Sequence, residues 1–175
     1  MATHQFWIPA AAFAPDTSGK VWLEPYSILA TNDLFKFLVM RFDEDGNNNA
    51  ALTTKVGAHA TFHVPINYVG TPKIYPVWSS TVTTGNSVWD IDYRAIGGDD
   101  AESLDQTTFQ ESLTVTDAAP SAAHERNTPS VSLTGSNLAA QDTVELVISA
   151  DGTDGADTQA SARLLFGVIF EYADA

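Results

Sequence analysis

Between Val88 and Ala95 apolar and polar positions change places at every step. Trp89, Ile91, Tyr93 and Ala95 share one side, and Val88, Asp90, Asp92 and Arg94 share the other. A period of two marks a strand with one buried face, and nowhere in the chain is it clearer. Phe62, Val64, Ile66 and Tyr68 alternate in the same way with Thr61, His63, Pro65 and Asn67. Pro65 has no N–H to give to a ladder, so this strand is expected at an edge or bulged. Shorter strand-like runs are Lys36–Phe42, Lys73–Trp78 after the turn Gly70–Pro72, Thr107–Thr116 with Phe109, Leu113 and Val115 on one side, and Ser130–Thr134. Polar segments separate them: Asp43–Asn49, the loop Ile96–Asp105, and the Ala-, Ser- and Pro-containing connection Asp117–Thr128.

Near the end, Asp142–Ala150 and Ala162–Tyr172 flank the turn-rich Asp151–Asp157, which predicts a closing antiparallel hairpin. The last run is apolar on both faces, with Leu164, Phe166, Val168 and Phe170 on one and Leu165 and Ile169 on the other. One face can pack the core; the second needs another cover, and a second subunit supplies it in this reading. Residues 1–33 carry Phe6, Trp7, Ile8, Phe13, Trp22 and Leu23 among Pro9, Pro15 and Pro25 without a regular period. Such a segment reads as an extended arm whose aromatics are buried either on its own sandwich or on a neighbour. Phe6, Trp7, Ile8, Phe13, Leu165 and Ile169 are therefore the candidate contacts with a further subunit or another partner. About eight short strands and almost no helical period predict an all-β, antiparallel two-sheet sandwich of jelly-roll type. Its expected division is an arm and first strand over 1–33 and a single sandwich domain over 34–175.

The chain has 175 residues, enough for one domain with a substantial core, and no cysteine. Disulfides, thiol nucleophiles and thiolate metal sites are thereby excluded. Acidic residues outnumber basic ones 22 to 8, a net charge of -14 that repels phosphate backbones and anionic lipid. Nucleic acid and membrane are not expected partners. Only 17% of residues are charged and 44% are hydrophobic, so the acidity reflects scarce Lys and Arg, and a folded body is expected. No apolar run reaches the ~20 residues of a membrane-spanning helix. The start, Met1–Ala14, lacks Lys and Arg and is interrupted by Pro9, so it reads as mature protein and not as a signal peptide.

Candidate chemistry is sparse. Asp43, Asp45, Asn47 and Asn49 have the alternate spacing of a calcium loop, but the sixth loop position is Asn48 and the twelfth is Thr54, where that motif needs Gly and Glu. Asp151, Asp154 and Asp157 offer a second oxygen cluster, but Asp and Gly serving a hairpin loop is the plainer reading. His59 and His63 share a strand face but stand about 13 Å apart, too far to share zinc. Asp90 and Asp92 lie roughly 7 Å apart on a polar face, a separation that glycosidases use. Arg94 follows on that face, and an ion pair with Asp92 is the plainer reading. No nucleophile elbow, triad or phosphate loop is present, so no catalytic residue, cofactor or metal is assigned. Trp78, Trp89 and Tyr93 could form a sugar-stacking platform, but Trp89 and Tyr93 share a periodic face with Ile91 and read as core.

The order of motifs resembles that of small virion structural proteins of tailed phages. The residues that carry it are Phe42-Asp43, Val64-Pro65, Tyr75 to Trp78, Val88-Trp89, Asp100-Ala101, Val115 to Asp117, Asp154 to Thr158 and Ala162 to Val168. Phe166 departs from the pattern as an extra residue between Leu165 and Gly167. The resemblance implies a non-enzymatic component of the virion, a jelly-roll decoration (cement) or head-fibre protein that binds the capsid exterior. The expected partners are further copies of itself, as a trimer by analogy with other virion jelly rolls, and the major capsid protein or another virion protein. The alternative is a receptor- or glycan-binding module of a tail fibre. A carboxylate glycosidase is the third and least supported reading.

Overall fold

Among the described residues eleven strands form, most of them where β-branched and aromatic residues cluster between turn residues. They are β1 (Thr3–Pro9), β2 (Ala14–Pro15), β3 (Val21–Ser27), β4 (Lys36–Phe42), β5 (Lys55–His63), β6 (Tyr68–Ser79), β7 (Asn86–Ile96), β8 (Glu111–Ala118), β9 (Val131–Ser132), β10 (Thr143–Asp151) and β11 (Arg163–Asp174). The structure is a computed structural model, and it describes residues 1–27, 36–46, 50–97 and 103–174. One sheet has the order β3-β4-β11-β6-β9 with β1 also beside β11, and the other has the order β2-β5-β10-β7-β8. The two sheets make an antiparallel sandwich of jelly-roll type, as the strand patterns predict.

The core between the sheets is aromatic. Trp78, Trp89, Tyr93, Phe42 and Phe170 are fully buried, with Trp89 edge-on to both Phe42 and Trp78 at ring distances of 5.4 and 5.8 Å. The Trp78 indole N–H donates to Asp117 at 2.8 Å, which satisfies the polar edge of a ring that has no access to water. A second cluster joins Phe6, Phe62 and Phe170 at 5.0 to 5.6 Å.

Several local expectations are corrected by the tertiary structure. The Thr61–Tyr68 alternation spans a turn: β5 stops at His63, Tyr68 N–H bonds to the Pro65 carbonyl at 3.0 Å, and Ile66 is 76% exposed. Pro65 ends the ladder outright, so the strand is neither bulged nor continued there. The expected β10–β11 hairpin does not form. β10 is flanked by β5 and β7, whereas β11 lies in the opposite sheet, so the connecting loop crosses the sandwich. The strand expected from Thr107 begins at Glu111 and leaves Phe109 outside it.

Residues 3–27 are not a free arm. β1 pairs with β11 from Thr3–Ala173 to Pro9–Gly167, and β2 and β3 add to the two sheets. The segment thus folds back on its own sandwich, the first of the two readings above. β11 changes partner along its length, from β4 over Arg163–Leu165 to β1 over Gly167–Ala173. At the changeover the ladder to β6 skips Phe166. One inserted residue inverts the facing of a strand beyond it. Leu165, Val168 and Phe170 therefore all enter the core, while Leu164 packs with Val39 and Phe166 on the outside of the sheet. The two uniform faces predicted for this strand do not exist, and the apolar surface left for a neighbour narrows to Phe166 and Ile169.

Candidate functional site

In β1, Phe6 and Ile8 face the core, so Trp7 between them must face out. Register carries this outward position across the sheet: Trp7 stands opposite Ile169, and Ile169 opposite Tyr75. The next row is Gln5, Glu171 and Lys73. Phe166, displaced outward at the bulge, meets Phe37 of β4 edge-on at 5.7 Å. Trp7 and Phe37 remain 46% and 47% exposed, so both rings offer a face to solvent. With Val77, His124 and Arg126 they line a groove of about 320 Å³.

The groove has rigid walls. A Cβ added to Gly167, whose φ is +150°, would sit 2.7 and 2.8 Å from two carbons of the Trp7 indole, so the ring lies directly on the β11 backbone. On the far side, the segment 119–129 is fastened to β6 by Trp78–Asn127 backbone bonds of 2.8 and 3.0 Å, and just beyond that strand by the His124 N–H to the Ser80 carbonyl at 2.9 Å. These anchors bring His124 and Arg126 to the rim. On the other flank Glu171 accepts from Gln5 at 2.6 Å and pairs with Lys73 at 3.2 Å. The Gln5 amide holds the Glu171 carboxyl below the usual carboxylate range; burial opposes this, and Lys73 and Tyr75 reinforce it. The arrangement is a strip of aromatic faces bordered on both sides by hydrogen-bonding groups, the composition of a small-molecule cleft.

Of the six predicted contact residues, Ile8, Phe13 and Leu165 are buried inside the subunit, and Phe6 packs against the same core. Only Trp7 and Ile169 reach the outer face. Trp78, Trp89 and Tyr93 are core residues without exposure, so they form no stacking platform. Asp90 and Asp92 are held by a cation, but it is Lys55 (2.7 and 3.5 Å) and not Arg94, whose guanidinium donates to the Thr108 carbonyl at 3.3 Å. His59 and His63 both lie exposed on the outside of the five-stranded sheet. Asp43 is buried beside Arg41 at 3.2 Å, and Asn47 and Asn49 lie outside the described residues. Among the described residues no group of three or more His, Asp or Glu is placed to hold a metal.

The groove residues Phe37, Val77, Arg126 and Phe166 cannot be grouped from the sequence, because four separate segments supply them. One local signal was available: a Trp between two inward apolar positions of a strand has to point outward.

The carboxylates Asp151, Asp154 and Asp157 do not cluster as the expected hairpin would have them. Asp151 turns back on the Thr153 N–H at 2.8 Å and Asp154 on the Ala156 N–H at 2.8 Å. Asp157 forms an ion pair with Arg163 of β11. With each carboxylate satisfied separately, millimolar calcium is expected to raise the melting temperature no more than sodium chloride of equal ionic strength. A thermal melt in the two salts checks this, and a calcium-specific rise that disappears in Asp154→Asn would contradict it.

No family model and no curated protein matches the chain. Solved structures share its fold at low identity. A CBM35 from Paenibacillus barcinonensis is similar with a TM-score of 0.53 and 9% identity, over 99% of this chain and 100% of that one. A family 35 carbohydrate binding module from Clostridium thermocellum gives 0.53 at 10% identity, over 97% and 98%. The MgGH51 α-L-arabinofuranosidase gives 0.52 at 11% identity, where the match covers 92% of this chain but only 23% of the larger one. At these identities the likeness establishes a shared β-sandwich fold.

Proposed function

We propose that this chain is a non-catalytic glycan-binding module, of the kind that a phage tail fibre uses to recognise a receptor, and that its ligand lies along the Trp7–Phe37–Phe166 groove. The carrying observation is the pair of half-exposed rings of Trp7 and Phe37 flanked by Gln5, Glu171 and Lys73 on one side and His124 and Arg126 on the other. The apolar C–H face of a sugar ring stacks on such aromatics while its hydroxyls reach the polar flanks. The fold shared with carbohydrate-binding modules supports the reading, and the resemblance to phage virion proteins supports the fibre setting. Asp90 and Asp92 share the single Lys55 ammonium, which favours a structural over a catalytic role for that pair. The cementing role gains nothing from the placement of its contact residues, four of which pack within their own subunit.

Binding of the labelled protein to a glycan array tests the proposal. Trp7→Ala and Phe37→Ala are each expected to weaken binding roughly tenfold, the equivalent of a stacking contact of about 1.4 kcal/mol. Both side chains are half exposed, so thermal stability should change little. Failure of the wild type to bind any glycan would refute the proposal, as would undiminished binding by both variants.

A further inference from the structure

The outer face of the five-stranded sheet carries a second recess of about 190 Å³, lined by His59, Arg94, Gln106, Thr107, Thr108, Phe109 and Glu145. Its floor is the ladder of β5, β10 and β7, in which Glu145 stands directly opposite Arg94. A carboxylate and a guanidinium in facing positions ordinarily pair. Here Arg94 is drawn to the Thr108 carbonyl, and Glu145 has no ion-pair partner among the described residues. The wall that draws Arg94 away is itself anchored. Gln110 N–H donates to the Tyr93 carbonyl at 2.9 Å, and the Gln110 side chain accepts from Ala95 N–H at 3.0 Å. The same wall presents Phe109, 48% exposed, at the edge of the recess.

We infer that this recess is a second ligand site that takes one neutral sugar ring through two adjacent hydroxyls. Glu145 accepts a hydrogen bond from one hydroxyl, and the free N–H groups of Arg94 donate to its neighbour. Phe109 covers the apolar face of the ring, and Gln106, Thr107 and His59 border it. Opposite charges of equal size balance one another across the site, which suits an uncharged polyol better than an anion. The volume lies below the roughly 300–1,000 Å³ of ordinary small-molecule clefts, so the site holds a single ring, whereas the aromatic groove on the opposite sheet has room for more. The class of ligand rests on the glycan-binding reading; the site itself is independent of it.

Amide-resolved NMR titration of the whole chain with the methyl glycosides of glucose, galactose, mannose and arabinose, each to about 20 mM, saturates a site with a Kd of about 1 mM. The expected result is saturable shifts at Arg94, Thr108, Phe109 and Glu145 with at least one of the four. Phe109→Ala and Glu145→Ala should weaken them roughly tenfold or more while the rest of the spectrum stays that of the folded protein. Shifts confined to the Trp7 groove would overturn this inference and leave the proposed function standing. Absence of shifts in the recess with all four sugars would overturn it too, whatever the glycan array shows for the groove.

Discussion

Replacing Arg163 with Met is expected to cost about 3–5 kcal/mol of stability, the range for removing one partner of a buried ion pair. Arg163 has no exposure, and its guanidinium meets Asp157, Ser87 at 3.3 Å and the carbonyls of Gln159 and Ser161 at 3.3 and 3.4 Å. Burial lowers its pKa, while Asp157 and Asp43 act in the opposite direction to keep the cation. Without Arg163 the Asp157 carboxylate stays buried, its other oxygen held by the Val88 N–H at 3.1 Å. Denaturant unfolding measures the loss, and a melt should show a fall of roughly 10 °C. Adding Asp157→Asn removes the stranded charge but keeps an acceptor for Val88, so the double variant should cost less than the two single losses added together. A loss under about 1 kcal/mol for Arg163→Met, as for an exposed pair, would show that the bridge does not hold the loop to the sheet.

Gly167→Ala is expected to be nearly as damaging and to act on the groove as well. The added methyl would lie 2.3 Å from the Ile8 carbonyl oxygen, an atom of the β1–β11 ladder, and against the Trp7 ring. A side chain can swing away, but the Ile8 backbone can move only by opening the pairing that seats Trp7. The backbone conformation at φ +150° adds its own strain. Together these are worth roughly 3 kcal/mol or more. Unfolding in urea and glycan binding should both suffer, with a loss of binding greater than that of Trp7→Ala at temperatures where the variant stays folded. Wild-type stability and binding in this variant would mean that β1 does not lie against β11 as described.

Some of this was legible residue by residue. The Trp89, Ile91, Tyr93, Ala95 face is the core face of β7 because side-chain alternation is a local property of any strand, whatever stands beside it. The same logic misled at Ile66, where alternation ran on through a turn that Pro65 had already imposed. It misled again at Phe166, where one residue pushed out of the ladder inverted every later facing in β11. Neighbours in sequence, β10 and β11 have the pattern of a hairpin; each has partners on both sides in separate sheets, and no local pattern records that.

The chain's alternation, turn residues and lack of helical period were sufficient for an all-β sandwich, since they need only the strand's two-residue repeat and the burial of one face. Which strands lie side by side, and hence what the outer faces present, was settled by packing between segments far apart in the chain. Arg163 neutralises Asp157 only after the last loop has crossed the sandwich. Trp7, Phe37 and Phe166 become one groove only because β1 and β4 take successive stretches of the same edge of β11. Glu145 and Arg94 become facing but separated groups only because β10 lies beside β7 while the following loop claims the guanidinium. A binding surface made in this way depends on register and on contacts distant in sequence, and neither is encoded in the short-range period that a strand displays.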